Sequence, residues 1–320
     1  MYEPGTIITL RAGAYRLRAP LAGSAYGLLW HAQGPGHFGD VALKLVNRAR
    51  MDSAGCDQRE YWTRSVQAEI AFLASLKPWD QRHIVRMLDS GSHDDLPAFA
   101  LELMQCDLAQ HLARTAPPPF SRILDWIAQV NHALATVHQH GWRYLDLKPA
   151  NLLLDEAGNL KLTDFGTSQL VTAGAHPYSG TPRWQAPEQF FPDAHGRYET
   201  DCRTDYFALG ALFHYIVTGG EALAFCSACA EAFRLHGSAD GPRALRSPTG
   251  RLLPTLTRNE AARFIEAVDD DTPGAGRPAL ALLRRLLAPQ REHRPRHALD
   301  ISRAVQDIRT ASLQRWRCAA

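Results

Sequence analysis

The hydrophobic period changes once along this chain, and that change constrains its fold more than any other feature. From Tyr15 to about Met104 apolar residues mostly recur at every second position, interrupted by one helical stretch, whereas beyond Pro117-Pro118-Pro119 the pattern is chiefly helical. Val41, Leu43 and Leu45 alternate with Ala42, Lys44 and Val46, which reads as a strand with Lys44 on the face of small Ala42. A lysine on such a strand needs an anion. Ile70, Leu73 and Leu76 have helical spacing after Glu69, which reads as the start of a helix face closed by Lys77-Pro78. The charged stretch Asp52 to Arg64 before it reads as an inserted loop or a helix extension. After the prolines, Ser121 is placed to cap a long helix with the stripe Ile123, Ile127, Val130, Leu134 and Val137, stopped by Gly141. Leu152 to Leu154, the turn Asp155 to Asn159, and Leu160 to Leu162 read as a hairpin. The expected class is therefore α+β, with a small sheet-rich lobe, a larger helical lobe, and a junction near Glu102 to Cys106. A cleft between lobes is the natural site.

The 320 residues, 45% of them hydrophobic, suffice for a substantial core and exclude disorder as the main state. Lys and Arg number 35 against 33 Asp and Glu, a net charge of +2, so no global field favours nucleic acid or an anionic membrane. Met1 to Gly5 shows no secretory pattern, and the expected location is the cytoplasm. The greasiest stretch, Tyr206 to Val217, contains His214 and falls short of the roughly 20 residues a membrane span needs. It reads as a buried core helix. Of six cysteines only Cys226 and Cys229 have ligand-like spacing, and without a second pair they read as reduced thiols.

The chemistry concentrates in three blocks: Tyr144-Leu145-Asp146-Leu147-Lys148-Pro149-Ala150-Asn151, then Asp164-Phe165-Gly166, then Ala186-Pro187-Glu188. Each alone is a weak signal; in this order, behind Val41-Ala42-Leu43-Lys44, they resemble the protein kinase family. The start, Pro4-Gly5-Thr6 with Tyr15-Arg16-Leu17, is similar to the eukaryotic-like Ser/Thr kinases of bacteria. The resemblance implies a bilobal kinase domain over about 15–311, with an N-lobe at 1–103, a C-lobe at 104–311 and a tail at 312–320. An insertion or enlarged helical layer is expected at 226–271.

The resemblance also implies roles. ATP with Mg²⁺, for which Mn²⁺ can substitute, would be the phosphoryl donor. Lys44 would hold the α- and β-phosphates, with Glu69 fixing its ammonium. Glu60 competes for that role, and the register through Ile70, Leu73 and Leu76 favours Glu69. Asp164 and Asn151 would hold metal, Asp146 would take or orient the acceptor proton, and Lys148 would stabilise the transferring phosphoryl. The phosphate loop would run through Leu21, Ala22, Gly23, Ser24, Gly27 and Leu29, and Ala42 would also line the nucleotide site. Leu101 would be the gatekeeper, with the backbone of Glu102 and Met104 reading the adenine edge. Asp107 would either meet the ribose or cap a helix. His138 reads as a packed core histidine.

Two departures from the family pattern stand out. Ala22 and Ser24 replace the first two glycines of the phosphate loop, which disfavours positive φ there. Leu145 replaces the arginine that in relatives receives an activation-loop phosphate, and Tyr144 replaces the preceding histidine. Activity is therefore not expected to depend on such a phosphate at Thr167, Ser168, Thr172, Tyr178 or Ser179. Lys148, Ala186-Pro187-Glu188 and Gly180-Thr181-Pro182, with Thr181 bridging Asp146 and Lys148, imply a Ser or Thr acceptor on a protein rather than a small molecule. Glu188 would pair with Arg294, and Asp205 would anchor the catalytic loop. No nucleic-acid or membrane partner is implied, and the oligomeric state is left open. The alternative reading is a pseudokinase that binds nucleotide as a scaffold.

Overall fold

The computed structural model describes the backbone of all residues except 1, 24–26, 54, 172–179, 194, 247–249, 251 and 320, and the side chains of these residues except at 49, 52, 56 and 312–319. The chain divides by packing into two units, 1–105 with 153–166, and 106–152 with 167–320. The second crossing of the chain puts 153–166 with the first unit, a grouping that a single boundary at 103/104 does not express.

The first unit is built on β1 (Ile7–Leu10), β2 (Gly13–Gly23), β3 (Gly27–Gln33) and β4 (Asp40–Val46), followed by α1 (Arg48–Asp52), α2 (Cys56–Ser75), β5 (Met87–His93) and β6 (Leu96–Glu102). Its strands form an antiparallel sheet in the order β1-β2-β3-β4-β6-β5. The alternation seen in the sequence sets the faces. Val41, Leu43 and Leu45 join Ile8, Tyr15, Leu17 and Trp30 in one buried cluster. Ala42 and Lys44 point the other way, with Lys44 registered between Leu29 and Phe99. The helix carrying Glu69 begins at Cys56, so Glu69 lies within its second half rather than at its start. Of the stretch Asp52 to Arg64, Asp52 ends α1 and Cys56 to Arg64 form the opening turns of α2. Trp62, Val66, Glu69, Phe72 and Leu73 are its buried stripe, Leu76 is buried as its C-cap, and Ile70 is only part-buried.

The second unit opens with β7 (Cys106–Asp107), α3 (Leu108–Arg114), α4 (Phe120–Gln139) and β8 (Trp142–Arg143). Next come β9 (Leu152–Leu154) and β10 (Leu160–Leu162), which pair as the expected hairpin and fall mostly in the first unit, and then β11 (Gln169–Leu170). α5 (Pro187–Phe190), α6 (Cys202–Val217), α7 (Ala224–Ala244), α8 (Arg258–Asp271), α9 (Gly276–Leu286) and α10 (Ala298–Ala319) complete it. α6, which contains the apolar run Tyr206 to Val217, is buried along nearly its whole length against α4, α8 and α9. The long helix α4 starts one residue before Ser121, behind Pro119, and Ser121 does not cap it. The amide of Phe120 instead donates to Asp271 Oδ2 at 3.0 Å, a cap supplied from α8.

The stretch 226–271 is mostly α7 and α8. Phe225, Cys226, Cys229 and Phe264 are buried, so both helices contribute to the core of the second unit. α7 is kinked at Gly237, which has φ 70°. Cys226 and Cys229 are buried free thiols, and burial pushes the Cys226 thiol up to about 12, which makes it unreactive. Among the described residues no helix is long and apolar enough to cross a membrane.

Candidate active site

In the first unit Lys44 is the centre of a three-residue cluster. Its Nζ donates to Glu69 Oε2 at 2.7 Å and to Asp164 Oδ1 at 2.9 Å. β4 fixes its position and the Phe99 ring lies 5.7 Å from Nζ. Burial acts to lower the Lys44 pKa, but the Asp164 and Glu69 carboxylates overcome it and the pKa is raised, so the side chain is a cation. Burial pushes the Glu69 carboxyl above its usual range, with Lys44 opposing. Glu60, the rival partner, is exposed and pairs with Arg64 one turn along. Glu69 is therefore the residue that meets Lys44.

The same helix holds Asp164-Phe165-Gly166. Glu69 Oε1 accepts from the Phe165 amide at 3.2 Å, the Phe165 and Phe72 rings lie 4.6 Å apart, and Ser65 Oγ donates to the Gly166 carbonyl. Asp164 has φ 59°, a left-handed conformation that aspartate tolerates better than most residues and that turns its carboxylate to Lys44.

Around them, Ala22 and Gly23 end β2 opposite Leu29 and Leu28, and Leu21 is exposed. Ser24 lies outside the described residues. Gly27 packs close to the Leu45 carbonyl, 3.4 Å from where a Cβ would stand. Ala42 pairs with Leu101 across the sheet. The side chain of Glu102 accepts from the Arg86 amide at 2.9 Å and from Lys161 Nζ at 2.5 Å, and its own amide donates to the Arg86 carbonyl at 3.0 Å. Met104 follows two residues later, after the sheet ends.

In the second unit Asp146, Lys148 and Thr181 close a triangle. Lys148 Nζ donates to Asp146 Oδ2 and to Thr181 Oγ1, both at 2.7 Å, and Thr181 Oγ1 donates to Asp146 Oδ1 at 2.8 Å. Asn151 Nδ2 reaches the Asp146 carbonyl at 2.9 Å and Oδ2 at 3.0 Å. Asp107 Oδ1 accepts from the Gln110 amide at 2.8 Å and caps α3.

The loop carrying Asp146 is held through its backbone. Asp205 accepts from the Tyr144 amide at 2.9 Å and the Leu145 amide at 2.7 Å, and Gln189 Nε2 donates to the Leu145 carbonyl at 2.9 Å. These bonds hold Leu145 at φ 70°, a conformation that costs a side-chain-bearing residue roughly 1–2 kcal/mol. Gly180, φ 114°, passes so close that a Cβ would stand 2.9 Å from the Leu145 carbonyl oxygen, which requires glycine there. Buried Arg294 pairs with Glu188 through Nη1 at 2.6 Å and Nη2 at 3.0 Å.

His138 is packed as expected and also charged. Burial opposes its charge, but Asp205 at 2.8 Å, helped by Cys202, raises its pKa to about 9. A histidine with a raised folded pKa stabilises the protein fully below its ordinary value of about 6.5, and that contribution is lost as pH rises through about 9. Urea unfolding should show His138→Asn less stable than wild type at pH 6, with the gap narrowing by about 3 kcal/mol by pH 10. A gap independent of pH would contradict this.

Sequence reasoning missed three polar residues of this framework. Arg143, Gln189 and Ser65 all bond to backbone carbonyls distant in the chain, a relation that leaves no local spacing to find.

The family model for the protein kinase domain matches residues 34–300 and so begins after β3, leaving Leu21 to Leu29 outside the match. The chain is 30% identical over 282 residues to the serine/threonine-protein kinase PkaA of Streptomyces coelicolor, covering 82% of this chain and 48% of that protein. It is 28% identical over 240 residues to the serine/threonine-protein kinase PrkC of Bacillus subtilis, covering 73% and 35%. To a carbon catabolite-derepressing protein kinase of Candida tropicalis it is 27% identical over 219 residues, covering 68% and 33%. It thus spans about half the length or less of each of these three relatives. With the match spanning most of the residues just described, the chain belongs to the protein kinase family.

Proposed function

We propose that this chain transfers the γ-phosphoryl group of Mg-ATP to serine or threonine hydroxyls of proteins, without needing a phosphate on its own segment between Asp164 and Glu188. The observation that carries this reading is the triangle of Asp146, Lys148 and Thr181. Within it an alcohol oxygen donates to a carboxylate and accepts from an ammonium, the two contacts an acceptor hydroxyl needs. Asp146 takes the proton as the acceptor oxygen bonds to phosphorus, and Lys148 offsets charge on the transferring oxygens. The bond from the γ-phosphorus to its bridging oxygen breaks, and ADP leaves.

Lys44, oriented by Glu69, binds the α- and β-phosphate oxygens. Leu21, Ala22, Gly23, Ser24, Gly27, Leu29 and Ala42 line the nucleotide. The amide of Glu102 is spent on Arg86, so an adenine contact there falls to its carbonyl, with Met104 supplying the next backbone groups. Asp107 caps α3 with Oδ1, so a ribose contact would fall to Oδ2. Asp164 and Asn151 would hold magnesium or manganese; no group of three or more metal-binding side chains occurs among the described residues. Mg²⁺ is usually bound by one or two protein oxygens together with substrate phosphates, and the Asp164 carboxylate and the Asn151 amide oxygen are donors of that kind. When bound it would neutralise charge on the phosphate oxygens.

Phosphoamino-acid analysis of a generic protein acceptor labelled by the purified chain tests the acceptor class. Phosphoserine and phosphothreonine are expected, and phosphotyrosine alone would overturn that part of the reading. Ala22 and Ser24 in place of glycines favour the second reading, a nucleotide-binding scaffold, which predicts Mg-dependent ATP binding with no labelled acceptor.

A further inference from the structure

Arg143 lies three residues before Asp146, in β8, and is buried. Its Nη1 donates to both the carbonyl and the hydroxyl of Thr200, each at 2.7 Å, and its Nη2 donates to the Leu170 carbonyl at 2.8 Å. Leu170 and Thr200 stand at the two ends of the segment that carries Thr181 and Ala186-Pro187-Glu188. Leu170 lies in β11, whose residue Gln169 pairs with Arg143 itself, and Thr200 lies just ahead of the cap of α6. One planar guanidinium therefore fastens the entry and the exit of that segment to the strand leading into the catalytic loop.

All three acceptors are the protein's own neutral oxygens. Leu145, next to Asp146, offers no side-chain donor. The segment nonetheless places Thr181 within hydrogen-bond distance of Asp146 and Lys148, with Gly180 packed on the Leu145 carbonyl.

We propose that Arg143 is a positioning residue for phosphoryl transfer: by holding Leu170 and Thr200 it keeps Thr181 against Asp146 and Lys148 with no phosphate on the segment. This rests on the kinase reading above. Arg143→Ala should lower the turnover number on the order of tenfold to a hundredfold, the scale of a small misplacement of reacting groups. Nucleotide affinity, read with a fluorescent ADP analogue and Mg²⁺, should stay within about twofold, because the hydrogen bonds that Arg143 makes to Leu170 and Thr200 involve none of the residues proposed to hold the nucleotide.

The discriminating measurement is a double-mutant cycle with Thr181→Val. If Arg143 acts through Thr181, Arg143→Ala costs little further turnover once Thr181 is changed. Effects that multiply would overturn the proposal, as would wild-type turnover in a folded Arg143→Ala. If Arg143→Ala does not yield folded protein, Arg143→Lys carries the same cycle, with a smaller loss expected because an ammonium cannot span all three acceptors. Treatment of the wild type with a protein phosphatase should leave turnover within about twofold; a tenfold loss would contradict phosphate-free positioning. A wild type that transfers nothing would instead overturn the kinase reading itself.

Discussion

Replacing Asp146 by asparagine is expected to lower the turnover number for protein phosphorylation about a thousandfold, with nucleotide affinity unchanged within about twofold. The substitution is close to isosteric. Its amide oxygen can still accept from Lys148 and Asn151, and its NH₂ can donate to Thr181 Oγ1, so the loop should keep its shape. What disappears is a carboxylate able to take the acceptor proton. Steady-state kinetics beside calorimetric nucleotide binding separates the two quantities. Turnover within about tenfold of wild type would remove Asp146 from the proton-accepting role.

The second large effect concerns stability. Arg294 has no exposed side-chain surface and donates to both oxygens of Glu188, with further bonds from Nε to the Ala288 carbonyl and from Nη1 to the Arg203 carbonyl. Its guanidinium also stacks 4.9 Å from the Phe207 ring. Arg294→Ala leaves the Glu188 carboxylate, only 13% exposed, without its countercharge, and breaking a buried pair from one side costs roughly 3–5 kcal/mol. Denaturant unfolding should show that loss. Arg294→Lys should recover only part of it, because a single ammonium cannot reproduce the two parallel bonds. A loss below about 1 kcal/mol for Arg294→Ala would place the pair among those that contribute little.

The sequence already pointed to much of this framework, because its main devices are local. The alternation of Val41, Leu43 and Leu45 with Lys44 sets which face of β4 carries the cation, and the short spacing of Asp146, Lys148 and Asn151 keeps their side chains on one loop. Glu69 was legible for a similar reason, since the register of Leu73 and Leu76 buries it while Glu60 faces solvent. Helix starts were less legible. α2 opens in a stretch whose charges mask any apolar stripe, and α4 takes its cap from Asp271, 151 residues away, rather than from Ser121. Arg143 shows the limit most clearly. In sequence it is one arginine in a polar-apolar run, and its partners lie 27 and 57 residues on. Its importance arises only once burial leaves backbone carbonyls and a threonine hydroxyl as its acceptors.

This division also explains why the departures from the family pattern lie where they do. Leu145 has lost a side-chain donor, but its backbone is held on both sides by Asp205 and Gln189, so the left-handed turn before Asp146 persists without an arginine. Ala22 lacks that freedom of φ, and any loss from it should appear in nucleotide affinity rather than in the acceptor step.

The most direct test of the central claim is transfer of label from γ-labelled Mg-ATP by the purified chain to itself and to a generic protein acceptor, beside Asp146→Ala and Asp164→Ala. Incorporation by the wild type that vanishes in both variants is the predicted result, because one variant removes the proton acceptor and the other the carboxylate beside Lys44. Measurable Mg-dependent ATP binding with no incorporation, or incorporation that survives both substitutions, would contradict it.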